Sequence, residues 1–212
     1  LIISVLMRNK LGYVVIVLFL AQIAVILLSW LITAANPDWA LHSLLSSEGI
    51  RWFFGSFVNN QLTPWLIYFI VMSIAGGAFL RTKFLKALRQ RFSKTPQLRS
   101  SLAYRERMGL RIALAEFIVF IVVMVLLTLV PHAILLSVTG QLYPSSFSVS
   151  LIPALSFILL IMSISYGITS GTINSVTSMH DMLVYGLLRS ARYVPIYIFA
   201  IQLYMSIRYV FQ

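Results

Sequence analysis

The chain has 212 residues, 60% of them hydrophobic and only 10% charged, with a mean hydropathy of +0.94. A water-surrounded fold of this length cannot bury so much apolar surface, so composition excludes an ordinary soluble domain and points to lipid as the main solvent. The formal charge of +11 gathers in one central stretch, and the lack of cysteine excludes thiol catalysis and leaves the redox compartment unread.

Position 1 is Leu rather than Met, so the natural start is expected to be missing or processed. The first apolar run is too long for a signal-peptide core and has no clear small-residue cleavage site. Arg8 and Lys10 precede a first predicted span over residues 11–35, longer than the ~20 apolar residues that cross a bilayer. Those two cations hold the N-terminus inside, and Trp30 stands where an indole favours the outer interface. Asn36-Pro37-Asp38 ends the span. In the loop that follows, Asp38, His42, Glu48 and Arg51 nearly cancel in charge, which suits the outer face. Ser47-Glu48 ahead of Ile50, Trp52, Phe53, Phe54 and Phe57 predicts a short interfacial helix capped by Ser47, with Glu48 against its positive end.

A second span is predicted over 62–80, with Gly76 and Gly77 as helix-packing glycines near its inner end. Next come Arg81, Lys83, Lys86, Arg89, Arg91, Lys94, Arg99, Arg105, Arg107 and Arg111, set against the single acid Glu106. A basic cluster between two membrane-length runs stays in the cytoplasm, and this 81–109 loop orients every span. Arg81, Lys83, Lys86, Arg89, Arg91 and Lys94 are the candidates for facing the cytoplasm and anionic lipid heads. The rival reading is a nucleic-acid patch. The apolar flanks and the lack of a base-stacking module weigh against it, and no nucleic-acid partner is expected. Residues 84–92 read as an amphipathic surface helix, with Phe84, Leu85 and Leu88 toward lipid and Lys86, Arg89 and Arg91 in water. Lys94-Thr95-Pro96 ends it.

A third span is predicted over 110–138. Glu116 lies about two turns inside it, where a carboxylate is costly and marks a functional hypothesis. The plainer reading is that it meets Arg107, Arg111 or water. Pro131-His132 predicts a kink at the outer end and an interfacial histidine. An uncharged outer turn containing Pro144 leads to a fourth span over 149–170, which ends in Ser165-Tyr166-Gly167-Ile168-Thr169-Ser170-Gly171-Thr172. Gly167 and Gly171 read as packing glycines. Glu116, Thr169, Ser170, Thr172 and Asn174 are candidates for a polar pathway, since unwound helix ends in membranes can turn carbonyls toward ions. A last span is predicted over 193–211, held inside at its start by Arg189 and Arg192, bent at Pro195, with Arg208 snorkelling at its far end. The expected fold is an all-α integral membrane protein, one transmembrane domain over 1–212. It has about five transmembrane helices, N-terminus in and C-terminus out, and a short interfacial helix.

Catalytic signatures do not occur. The nucleophile elbow Gly-x-Ser-x-Gly, the Walker phosphate loop and Gly-x-Gly-x-x-Gly are all missing. His42, His132 and His180 stand too far apart for a zinc motif. No enzyme activity, metal or other cofactor is expected.

Ser43-Leu44-Leu45-Ser46-Ser47-Glu48-Gly49-Ile50-Arg51-Trp52 resembles the loop after the first span of the AbgT family of p-aminobenzoyl-glutamate transporters. Residues 64–88, with Gly76-Gly77 before Phe84-Leu85-Lys86-Ala87-Leu88, are similar to its second span. The run from Leu151-Ile152-Pro153 through Tyr166-Gly167-Ile168-Thr169-Ser170-Gly171-Thr172-Ile173-Asn174-Ser175 resembles a later span, and 179–204 the helix after it. The resemblance implies a homodimer built on scaffold helices in the bacterial inner membrane. It also implies a substrate-carrying core with re-entrant hairpins in the longer members. Where those members hold core helices after the second span, this chain has only the basic loop, and it ends at Gln212 where they continue. None of the family's substrate-binding positions has a match here. Two functions are therefore expected to compete. One is transport by an oligomer whose polar lining is Glu116 and 169–172. The other is a non-transporting scaffold that docks another membrane protein or lipid.

Overall fold

The computed structural model describes the backbone of residues 2–93, 102–129, 135–136, 143 and 145–212, and side chains from residue 10 onward. Lys94, Arg99, Pro131, His132 and Pro144 lie outside the described residues. Described elements are helical throughout: α1 (Ile2–Ala35), α2 (Ser47–Gly55), α3 (Phe57–Gln61), α4 (Pro64–Arg81), α5 (Phe84–Arg91), α6 (Tyr104–Leu129), α7 (Ser146–Ser170), α8 (Val176–Ser190), a 3₁₀ turn (Ala191–Tyr193) and α9 (Val194–Val210).

Among the described residues four helices are long and apolar enough to cross a membrane: Lys10–Ala35, Pro64–Arg81, Tyr104–Leu129 and Ser146–Ser170. Their large side chains stay exposed on most sides, as Leu27, Ile67, Val122 and Phe157 do, which is how a helix meets lipid rather than water. The expected fifth span is α9. Its 17 residues reach about 26 Å, short of a ~30 Å hydrocarbon core, and it is not among the four. Pro195 does not bend α9. It sits in the first turn, where a missing N–H costs nothing.

The third span differs from its expected bounds at both ends. It begins at Tyr104, so Arg105, Glu106 and Arg107 are already helical. It does not run as a straight helix to 138, because the N–H of Leu135 bonds the carbonyl of Leu127, eight residues back instead of four. The residue that would bond Leu127 in a continuing helix is Pro131, which has no N–H to give. The N–H of Phe147 in turn bonds the carbonyl of Leu135. The α7 helix then starts on a reciprocal cap between Ser145 and Ser148.

The chain divides into two compact units: 1–66 with 191–212, and 67–190. In the first, α1 lies along α9. Phe19 meets Phe199 edge to face at 6.0 Å, and Gln22 donates to Ser206 at 3.0 Å in a buried contact. Ser29 accepts from the Leu44 N–H at 3.1 Å, tying the 36–46 loop to α1. The cap of α2 is Ser46, not Ser47: Ser46 accepts from the Gly49 N–H at 3.0 Å, and Ser47 is the first helical residue. Trp52 stacks on Tyr209 at 4.3 Å, while Ile50, Phe54 and Phe57 leave an apolar exposed face suited to an interface. Thr63 and Tyr197 share a hydroxyl bond of 2.7 Å, and Tyr197 donates to the carbonyl of Gln61.

In the second unit α6 and α7 pair closely, and α5 closes one end of them. Phe84, expected toward lipid, is instead buried: it stacks on Tyr166 at 5.0 Å and meets Phe79 edge-on. The turn between α4 and α5 aims it inward. Thr82 is buried with its hydroxyl on the Ala78 carbonyl, and Lys83 takes a left-handed conformation at φ 60°. Leu85 remains exposed, and Leu88 packs at the edge of this core. Pro153 lies inside α7, so the carbonyl of Val149 loses its helical donor. The hydroxyl of Tyr68, from α4, takes that place at 3.1 Å.

Candidate functional site

Small residues bring α6 and α7 together. A Cβ on Gly109 would press on the Tyr166 ring at 3.0 Å, and Ala113 one turn on is fully buried. The next turn carries Glu116. Its Oε1 accepts the Ser165 hydroxyl at 2.5 Å, while Oε2 is buried with no hydrogen-bond partner. The expected partners Arg107 and Arg111 are exposed and do not reach it; the partner is a serine on the neighbouring span.

Below this pair the polar end of α7 is tied to itself. The Thr169 hydroxyl donates to the Ser165 carbonyl at 2.8 Å, the ordinary back-bond of a membrane helix. The Gly167 carbonyl receives three donors: the hydroxyls of Ser170 and Thr172, and the N–H of Ile173. Arg105 donates from Nε to the Thr169 carbonyl at 3.1 Å, and its guanidinium lies against Gly171. Gly171 ends the helix at φ 80°, the left-handed value that glycine adopts without a Cβ penalty. Asn174 is exposed, and its backbone N–H bonds Ser178. Thr169, Ser170 and Thr172 thus gather at the end of α7, while Glu116 meets α7 at Ser165. The three hydroxyls close carbonyls rather than leaving them open to an ion.

The packing glycines take different roles. Gly77 meets Gly186 backbone to backbone: a Cβ on Gly77 would overlap Gly186, and one on Gly186 would overlap the Ser73 carbonyl. Gly167 holds the Ile173 side chain and the Thr82 methyl. Gly76 faces open space, with nothing within 4 Å of a Cβ, so it does not pack. At the end of α4 a depression of about 250 Å³ is edged by Arg81, Lys83, Thr172, Ser178 and Asp181, and Arg81 lies 5.6 Å over the Tyr185 ring. Lys83, Lys86, Arg89 and Arg91 are all exposed.

Sequence reasoning passed over Gly109, Gly186 and Tyr68, and it named Ser165 and Arg105 without the partners they take, Glu116 and the Thr169 carbonyl. Gly109 and Ala113 carried a signal, a small residue every fourth position on a span. Gly186 stands four residues after Met182, and these two are the buried positions of α8, a helix that charge and hydropathy did not separate from the last span.

The family profile of the AbgT putative transporter family matches residues 81–209, more than half of the chain. No curated protein and no solved structure matches. The match takes in α5 to α8 and nearly all of α9, including the Glu116–Ser165 contact and the glycine-hydroxyl end of α7. The chain is a multi-pass membrane protein and belongs to the AbgT family.

Proposed function

We propose that this chain works as a membrane-embedded frame of the AbgT type, assembled as a homo-oligomer in a bacterial inner membrane and docking another membrane protein, rather than as a translocating core. One observation carries this reading: the hydroxyls along the α6–α7 seam and at the end of α7 are spent on neighbouring groups. Ser165 serves Glu116, Thr169 serves the Ser165 carbonyl, and the Gly167 carbonyl is saturated by three donors. A solute path needs polar groups with unspent capacity facing a cavity. The short α4–α5–α6 connection, in place of the core helices that longer relatives are expected to hold there, supports the same reading.

The test is flux of p-aminobenzoyl-glutamate into liposomes holding the purified full chain. The frame reading expects uptake equal to that of empty liposomes, unchanged by Glu116→Ala. Uptake above that level, lost on Glu116→Ala, would establish the second reading, transport by an oligomer. A specific feature favours that second reading, since the Glu116 Oε2 is buried and unpartnered and retains capacity for a cation.

A further inference from the structure

A cavity of about 390 Å³ opens where α5 crosses the start of α6, floored by Leu88, Leu110 and Leu114 and rimmed by Arg91, Arg107 and Arg111. Positions 107, 110, 111 and 114 share one face of α6 by the spacing of three and four. On that face, charge gives way to hydrocarbon within two turns. Among the described residues no carboxylate engages these three guanidiniums. Glu106 accepts the Ala103 N–H, and Glu116 accepts Ser165. Three like charges around one apolar cavity repel one another unless an anion sits between them.

The apolar floor does not stop at the cavity. Leu114 is 54% exposed, and Ile118, Ile121 and Val125 continue the exposed stripe along the span. From Leu114 to Val125 the helix rises about 16 Å, close to the ~15 Å depth of one leaflet of hydrocarbon. A free phosphate would use the rim and ignore the stripe. A phospholipid uses both.

We propose that Arg91, Arg107 and Arg111 form a site for the phosphate of an anionic phospholipid, with an acyl chain laid along Leu110, Leu114 and Ile118 of α6. This goes beyond a general attraction of basic residues to the membrane surface, because it assigns the selectivity to three of the exposed cations and leaves the others out.

The test is lipid retention by the full chain in mild detergent, read by native mass spectrometry with phosphatidylglycerol and phosphatidylcholine of identical chains. Phosphatidylglycerol is expected to be held about tenfold or more tightly than phosphatidylcholine. The triple variant Arg91→Gln, Arg107→Gln, Arg111→Gln is expected to abolish that preference. The charge-matched triple Lys83→Gln, Lys86→Gln, Arg89→Gln is expected to keep it. The three single variants at Arg91, Arg107 and Arg111, each expected to lose part of the preference, decide the matter if the triple fails to fold. Equal retention of the two lipids, equal loss in both triples, or displacement by excess inorganic phosphate as effective as by phosphatidylglycerol would each overturn the proposal.

Discussion

Tyr68 completes the hydrogen bond that Pro153 leaves open: its hydroxyl lies 3.1 Å from the Val149 carbonyl, the acceptor four residues before the proline. In hydrocarbon a bare carbonyl is costly, so the proline inside α7 is tolerated through a side chain on α4. Tyr68→Phe is expected to lower stability by about 0.5–1.5 kcal/mol. In a Pro153→Ala background the alanine N–H serves Val149, and the same change is expected to cost less. Reversible unfolding of the four proteins of this cycle in mixed micelles measures the difference, and a cost equal in both backgrounds would refute the compensation.

The α4–α8 crossing depends on two glycines and ignores a third. Gly186→Ala forces a methyl into the Ser73 carbonyl, and Gly77→Ala forces one into Gly186. Each is expected to destabilise by about 1–3 kcal/mol through overpacking. Gly76→Ala, in open space on the same helix, is expected to be neutral or to stabilise by up to about 1 kcal/mol through helix propensity. Thermal unfolding in detergent separates the three.

The Glu116–Ser165 bond predicts non-additivity. Ser165→Ala and Glu116→Ala each remove it, so the double variant is expected to lose less than the singles together, with a coupling of about 0.6–1.7 kcal/mol. Glu116→Gln keeps an oxygen that accepts from Ser165 and is expected to retain most of the stability. A coupling near zero would mean that the two side chains do not hold α6 to α7.

Lys83 occupies a left-handed position at φ 60° that a glycine enters freely. Lys83→Gly is therefore expected to stabilise the α4–α5 turn by up to about 1 kcal/mol, whereas a β-branched residue such as Val is expected to destabilise it. Melting temperatures of the two variants against the parent check the sign.

The apolar runs were legible because lipid selects for length and hydropathy, and those are local properties. This is why Lys10–Ala35, Pro64–Arg81, Tyr104–Leu129 and Ser146–Ser170 follow the predicted spans closely, apart from the ends of the third. What the sequence hid was direction and partnership. Amphipathic spacing put Phe84 on the lipid side, because nothing local showed that Lys83 would turn left-handed and aim the ring at Tyr166, 82 residues later. Glu116 drew the nearest cations as expected partners, while its bond goes to Ser165, 49 residues away and unremarkable in isolation. The proline at 153 was visible, but the tyrosine that accommodates it was not.

The bond from Gln22 to Ser206 joins residues 184 positions apart, and the first unit is built from the two ends of the chain. The stretch 67–190 is contiguous, whereas α1 and α9 lie on either side of it. Translation makes α1 before α9, so the buried amide of Gln22 meets its serine only after the whole of 67–190 has been made.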